Sequence, residues 1–229
     1  MSCTEIKENL QAVDDATPER YPNRMIADLS DMLEDTSAIA SGCKDSIMVW
    51  SLPVIQVIMK DRNFSSPADM ELWATGFRQL SERIMQPGKP TACICGDGAL
   101  QMNIQELEWV KRENLPVKIM VMNNEALGMI RHLQRDYFDC LFAGTTDGCG
   151  FASCNFAEVA KAYGIPALRM LCDAVREEAP EFLEGEGPKL LEVMLEHGTF
   201  AYPKTCLGEP IHNQQPYAPK EVYDRLMEL

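Results

Sequence analysis

Two short apolar runs, each followed by a polar cluster, mark the middle of the chain. Residues 91–95 (TACIC) run into Gly-Asp-Gly at 96–98, and residues 117–122 (VKIMVM) run into Asn-Asn at 123–124. The segment between them has apolar residues at helical spacing: Leu100, Ile104, Leu107 and Val110. The pattern predicts a strand, loop, helix and second strand, and a right-handed crossover makes the two strands parallel.

Strands alternate with helices along the rest of the chain. Further strands are predicted at 45–50, 167–171 and 190–195, and further helices at 24–35, 66–85, 127–138, 156–163, 173–184 and 220–227. Asn155 and Gly164 are predicted to cap the helix at 156–163. This alternation is typical of a three-layer α/β/α sandwich with a mainly parallel sheet. Residues 1–21 are polar and are predicted to form an arm or linker, and residues 22–229 one domain.

The two polar clusters predict a metal–diphosphate site. Both follow parallel strands, and ligands of open α/β sheets collect at the carboxyl ends of such strands. Asp97 offers a carboxylate and Asn124 an amide oxygen, which are hard ligands suited to Mg²⁺. Gly96 and Gly98 let the backbone turn tightly, and a helix that opens after Gly98 would point free N–H groups at a phosphate.

The spacing of these clusters also carries a family resemblance. GDG, then 24 residues, then NN is similar to the fingerprint of thiamine diphosphate enzymes. The strings LPVKIMVMNN and LGMI, and NFAEVAKAYGIPALRM farther on, resemble the C-terminal, diphosphate-binding domain of acetolactate synthase-like enzymes. The resemblance runs from about residue 44 to the C-terminus. It implies a thiamine diphosphate-binding domain over residues 22–229, with thiamine diphosphate and Mg²⁺ as cofactors.

Carried over residue by residue, the resemblance implies a ligand set. The metal ligands would be the side chains of Asp97 and Asn124 and the main-chain carbonyl of Ala126. The cofactor contacts would come from Gly96, Gly98, Ala99, Met70, Leu72 and Met129. Met70 and Leu72 belong to PADMELW at 67–73, which stands where the family has a glycine-rich loop such as GGLGTMG. Met129 either lines the cofactor site or belongs to the core.

The family resemblance also implies a partner. In such enzymes a separate pyrimidine-binding domain carries the glutamate that activates the cofactor, and the residues that precede the resemblance, 1–43, are too few to contain that domain. We therefore expect no catalytic residue in this chain, no turnover by the chain alone, and a pyrimidine-domain partner chain in a homodimer or heterotetramer. The predicted function is the diphosphate- and Mg²⁺-binding half of a 2-oxo acid decarboxylase or carboligase acting on a small 2-oxo acid. The alternative is a non-catalytic interaction or regulatory protein that retains the fold.

Composition narrows these possibilities. The 229 residues are 46% hydrophobic and 24% charged, as in a soluble globular protein. A net charge of −14 argues against binding to nucleic acid or an anionic membrane. No apolar run approaches the roughly 20 residues of a membrane helix, and the N-terminus has no signal pattern, so we expect a cytoplasmic protein. The nine cysteines include no C-x-x-C pair, which indicates reduced thiols.

Other polar residues near the motifs can be interpreted as structural. Asn123 is predicted to support the loop rather than bind the metal. Gln101 and Asn103 either contact the cofactor or cap and pack the helix, and Asp147 is read as an ordinary turn residue. His132, His197 and His212 are isolated from one another and are predicted to lie at the surface or at helix ends.

Overall fold

The structure, a computed structural model, describes residues 91–197 and 199, strand residues 38–41 and 63–65, and, near the C-terminus, 204–209, 214–215, 217, 219–221 and 224. The strands within this part are β1 Ala38–Ser41, β2 Asn63–Ser65, β3 Thr91–Gly96, β4 Val117–Asn123, β5 Ala167–Leu171, β6 Lys189–Met194, β7 Lys204–Thr205 and β8 Gln214–Gln215. The helices are α1 Asp97–Met102, α2 Glu106–Arg112, α3 Gly128–Tyr137, α4 Phe156–Ala162 and α5 Val175–Leu183, which a 3-10 turn at Cys172–Ala174 precedes.

Six of the strands form one parallel sheet in the order β2-β1-β3-β4-β6-β5. Each pair of neighbours is held in a definite register, with Gly96 opposite Met122 and Asn123 opposite Met194. Strands β3 and β4 are buried along their whole length, as expected for parallel strands covered on both faces. Strands β7 and β8 form a separate antiparallel pair.

Helices cover both faces of this sheet. One face packs against α1, α2 and α4, whose buried residues there include Leu100, Leu107 and Phe156. The other face packs against α5, which contributes Val175 and Leu183. Side chains of β4 alternate between the two cores because successive residues of a strand point to opposite faces. The predicted three-layer α/β/α sandwich is confirmed.

The helix after the Gly-Asp-Gly cluster differs from its prediction in two ways. It begins at Asp97, with Gly96 as its N-cap, rather than after Gly98. It is also divided, because α1 ends at Met102, with Asn103 as its C-cap, and α2 begins only at Glu106. The Asn103 side chain donates to the Ala99 carbonyl (3.1 Å) and so competes with helical hydrogen bonding at this point.

The remaining predicted elements agree with the structure wherever it describes them. The strands at 167–171 and 190–195 and the helices at 127–138, 156–163 and 173–184 are present, with ends shifted by one or two residues. The arm at 1–21, the boundary at 21/22 and the elements predicted at 24–35, 45–50 and 66–85 lie outside the described residues. Strands β1 and β2 were not predicted, since AIAS and NFS are too short to show a period. Within the described part, no helix is long and apolar enough to cross a membrane.

The N-cap of α4 gives a first testable prediction. Asn155 accepts a hydrogen bond from the Glu158 amide (3.0 Å), as its predicted capping role requires. Replacing Asn155 with alanine is expected to lower the free energy of unfolding by about 1 kcal/mol, because a helix N–H loses its acceptor. Denaturant unfolding of the variant measures this loss. Asn155→Asp keeps an acceptor and should remain close to wild type; an equal loss in both variants would contradict the capping role.

Candidate functional site

Asp97 lies at the carboxyl end of β3, as the first residue of α1. Its side chain is buried, with 3% of its surface exposed. One carboxylate oxygen, Oδ1, accepts a hydrogen bond from the Gly98 amide (2.8 Å), and the other, Oδ2, accepts one from the Ala126 amide (3.2 Å). The second bond joins the end of β3 to the loop that follows β4.

Asn124 reaches the same point from the neighbouring strand. Strand β4 ends at Asn123, and the next residue turns its amide oxygen Oδ1 toward the Ala126 N–H (3.2 Å). Asp97 Oδ2 accepts a hydrogen bond from the same N–H. The two oxygens are therefore separated by no more than the sum of the two bonds, so the two predicted side chains are brought together.

The loop that carries Ala126 is fixed by a second loop. Ala126 forms an isolated antiparallel bridge with Thr146, and the Leu127 amide donates to the Thr145 carbonyl (2.9 Å). The acceptor in this hydrogen bond is the Thr145 carbonyl, so the bond does not use the Ala126 carbonyl, which the sequence predicts as a metal ligand. The Gly/Thr-rich segment at residues 143–153 thus supports the end of β4.

Burial dominates the electrostatics of this site. Desolvation raises the pKa of Asp97 to about 6, although hydrogen bonds from Gly98, Ala126 and Ser153 oppose the shift. A divalent cation beside this carboxylate would favour its charged form. The described residues contain no group of three or more His, Cys, Asp or Glu placed to hold a metal. The donor atoms that the sequence predicts at this edge, one carboxylate and neutral oxygens, would fit Mg²⁺ better than zinc.

Comparison with known proteins identifies the family. A family model described as "Thiamine pyrophosphate enzyme, C-terminal TPP binding domain" matches residues 73–193, which is more than half of the chain. The chain belongs to the thiamine pyrophosphate enzyme family. The residues matched to this binding domain include strands β3 and β4, which Asp97 and Asn124 directly follow.

Acetolactate synthases are among the similar proteins. A probable acetolactate synthase 2 of rice is 38% identical over 127 residues, which are 52% of this chain and 19% of that protein. Rice acetolactate synthase 1 is 30% identical over 195 residues, which are 82% of this chain and 30% of that protein. The large subunit of Escherichia coli acetolactate synthase isozyme 2 is 34% identical over 118 residues, which are 51% of this chain and 21% of that subunit. The matches span a fifth to a third of these relatives.

A solved structure supports the fold. A thiamine diphosphate-dependent 4-hydroxybenzoylformate decarboxylase from Rhodococcus jostii RHA1 superposes with a TM-score of 0.57. The superposition covers 78% of this chain and 33% of that protein, with 18% sequence identity. At that identity the likeness shows the shared α/β fold and nothing more specific.

The other predicted contacts of the thiamine pyrophosphate domain are placed as follows. Gly96 is buried at the end of β3, and Ala99 is half-buried in α1 against the core. Met129 is half-buried and packs against the core on the face of the sheet that α5 covers. This agrees with one of the two alternatives given for Met129, that it belongs to the core. Met70 and Leu72 lie outside the described residues. Contact of any of these residues with a cofactor stays a prediction.

Asn123 supports the loop, as predicted. Its Nδ2 donates to Glu192 Oε1 (2.7 Å), and its Oδ1 accepts from the Glu125 amide (2.9 Å). Asp147 accepts from the amide of the next residue, Gly148 (2.9 Å), in an exposed turn. Asn103 caps α1, which is the structural alternative among its two readings.

The histidine prediction is wrong for His132. This residue lies in the middle of α3 and is buried, with Nε2 3.5 Å from Asp136 Oδ2. Two large apolar residues of α3 are more exposed than His132, since Ile130 is 48% and Leu133 41% exposed. The helix therefore turns a polar residue inward. His197 is exposed as predicted, and His212 lies outside the described residues.

Two buried charges in the sheet were not predicted. Glu192 is 0% exposed in the middle of β6, and Lys118 is buried near the start of β4. The Lys118 ammonium donates to the carbonyls of Gly185 (2.7 Å) and Gly187 (3.0 Å). A single charged residue within an otherwise apolar strand, as in LLEVM, is the sequence signal that identifies such positions.

Close packing around Asn124 gives a second testable prediction. A Cβ added at Gly128 would lie 2.8 Å from Asn124 Nδ2, so Gly128→Ala must displace the Asn124 amide. If the site binds the metal and diphosphate that the sequence predicts, the variant should bind Mg²⁺-diphosphate about tenfold more weakly, which calorimetry measures. Stability should change little, because displacement of the Asn124 amide costs a hydrogen bond, whereas alanine favours a helix over glycine by up to about 1 kcal/mol.

The neighbouring glycine provides the contrast for this test. A Cβ at Gly98 would meet only the tip of the Leu127 side chain, at 2.7 Å from Cδ2, and that tip can rotate away. Gly98→Ala therefore leaves the Asn124 amide in place, and the NMR signals of the Asn124 side-chain amide should shift in Gly128→Ala only. Unchanged affinity in Gly128→Ala would show that the position of the Asn124 amide does not matter for the ligand.

Proposed function

We propose that this chain is the diphosphate- and Mg²⁺-binding half of a thiamine diphosphate-dependent 2-oxo acid decarboxylase or carboligase. One observation carries the proposal: Asp97 Oδ2 and Asn124 Oδ1, at the ends of adjacent parallel strands, share a single N–H of Ala126. Membership of the thiamine pyrophosphate enzyme family supports it independently.

The residues of this chain would hold and orient the cofactor. Asp97 and Asn124 would bind Mg²⁺ through their side chains, and Ala126 through its carbonyl. Gly96, Gly98 and Ala99 would leave backbone free to approach the diphosphate closely, because they carry little or no side chain. When bound, thiamine diphosphate supplies the nucleophilic carbon and the electron sink that decarboxylation of a 2-oxo acid needs. This chain contributes position, burial and the metal ligands.

A partner chain would complete the active site. The activating glutamate and the pyrimidine-binding domain would come from that partner, in a homodimer or heterotetramer. Exposed apolar side chains on α3 and just beyond it, among them Ile130, Leu133, Tyr137 and Phe138, support such an association. A small 2-oxo acid would be the substrate. A cytoplasmic location remains part of the proposal, whereas the names of the plant relatives place those enzymes in chloroplasts.

Calorimetric titration of the full chain tests the proposal. The probe is inorganic diphosphate, because the described site concerns the diphosphate half of the cofactor, and thiamine diphosphate follows as the second titrant. We expect binding in the presence of Mg²⁺ and none in the presence of EDTA, with orthophosphate binding more weakly than diphosphate. Absence of Mg²⁺-dependent binding of either diphosphate would overturn the proposal and favour a non-catalytic protein that retains the fold.

A further inference from the structure

The buried carboxylate of Glu192 lies behind the proposed metal site and does not belong to it. Its Oε1 accepts a hydrogen bond from Asn123 Nδ2 (2.7 Å), and its Oε2 accepts one from the Ala157 amide (3.0 Å) in the first turn of α4. The Arg169 guanidinium on the adjacent strand β5 lies 3.7 Å away. Glu192 thus joins the end of β4, α4 and β5.

Asn123 transmits this contact to the loop that presents the metal ligands. Because Glu192 accepts from the NH₂ group of Asn123, the carbonyl oxygen Oδ1 of that amide faces the loop. There it accepts from the Glu125 amide (2.9 Å) and from Ser153 Oγ (3.1 Å). Glu125 has a φ of +54°, a left-handed conformation that costs a non-glycine residue energy unless neighbours support it.

A buried carboxylate is costly, so its place requires compensation. Glu192 is 0% exposed, and desolvation of an ionised group must be offset by hydrogen bonds and nearby positive charge. An apolar residue at this position of β6 would avoid that cost, but it would leave the NH₂ group of Asn123 without its acceptor. The buried carboxylate of Glu192 therefore contributes to the geometry of the loop after β4 and not to apolar packing in the core.

We propose that Glu192 is a positioning residue for the proposed metal site: it fixes the orientation of the Asn123 amide and thereby the loop at 123–126. This inference rests on the proposed function, because the loop matters for binding only if Asn124 and Ala126 hold the metal. Partners hydrogen-bonded directly to metal ligands typically change metal affinity 10–100-fold when they are replaced. Glu192 acts one contact farther from the ligands, through Asn123, so we expect an effect at the lower end of that range.

The test compares two conservative variants of the full chain. In Glu192→Gln one acceptor oxygen is replaced by a donor, so the Asn123 and Ala157 N–H groups cannot both keep an acceptor. Lys118→Met is the matched control, since Lys118 is also a buried charge bonded to two backbone groups, but at the amino end of β4. The first measurement is hydrogen exchange of the Glu125 and Ala126 amides by NMR without ligand. The second is calorimetric titration with Mg²⁺ and inorganic diphosphate.

We expect exchange of these two amides to become at least about tenfold faster in Glu192→Gln and to stay unchanged in Lys118→Met. Diphosphate affinity should fall about tenfold in the first variant only. Wild-type exchange in Glu192→Gln, or equal acceleration in both variants, would overturn the positioning role. If the wild-type chain fails to bind Mg²⁺-diphosphate, the proposed function falls, and the exchange rates by themselves decide whether Glu192 positions the loop.

Discussion

Replacing Asp97 with alanine is expected to weaken binding of Mg²⁺-diphosphate at least about a hundredfold, or roughly 2.7 kcal/mol. Asp97 supplies the carboxylate of the proposed donor set, and the other donors, the Asn124 amide and the Ala126 carbonyl, are neutral. Without it, the cation would lose its charged ligand. The diphosphate would then have to bind with little of the positive charge that offsets its own.

Calorimetry with Mg²⁺ and inorganic diphosphate measures this loss. Glu108→Ala is a suitable control, because it removes the same charge from an exposed site on α2, where Glu108 pairs with Arg112. That variant should bind as the wild type does. Retained affinity in Asp97→Ala would mean that the diphosphate does not bind through a metal at this edge of the sheet, and the cofactor assignment of these residues would be lost.

Replacing Asp97 with asparagine is expected to stabilise the metal-free chain at pH 7 by about 2 kcal/mol. Burial raises the folded-state pKa of Asp97 from 3.8 to about 6. Between these values the folded state holds the proton more tightly than the unfolded state does. The wild type therefore loses about 3 kcal/mol of stability as pH rises from below 3 to about 7, most of it between pH 4 and pH 6. Asparagine never ionises and avoids that loss, but it accepts poorly from two N–H groups, which costs about 1 kcal/mol.

Denaturant unfolding in EDTA, repeated from pH 4 to pH 8, measures this difference. The advantage of Asp97→Asn should be absent near pH 4 and complete above pH 6. Asp147→Asn is the matched control, because Asp147 also precedes a glycine and accepts from its amide, but is exposed. A pH-independent difference between Asp97→Asn and wild type would rule out the buried ionisation as its cause.

The paired strands and the meeting of Asp97 with Asn124 could be predicted from the sequence. Each residue follows a short apolar run, and a helical period separates the runs, so parallel pairing alone brings the two side chains to one edge. The ends of α4 could also be predicted, because the capping roles of Asn155 and Gly164 depend only on residues a few positions away in the chain.

Long-range contacts account for what could not be predicted. The helix breaks at Asn103, where the side chain of this residue hydrogen-bonds to the Ala99 carbonyl instead of to solvent. The sequence does not determine which of these two partners the side chain takes. The burial of His132 depends on which side of α3 faces inward, and the exposed Ile130 and Leu133 predict the opposite side. The role of Glu192 requires the register of β4 and β6, which brings its carboxylate to Asn123 from 69 positions away in the chain.

The register of β3 against β4 has a consequence for the evolution of such sites. Asp97 and Asn124 meet because Gly96 lies opposite Met122, whatever the number of residues that connect the strands. The turn at residues 113–116, where Asn114 has a φ of +47°, lies at the other end of β4. Insertions there would lengthen the interval between the two motifs and leave the convergence intact. Descendants of one ancestral site can therefore carry different intervals, and a search that demands a constant interval would overlook some of them.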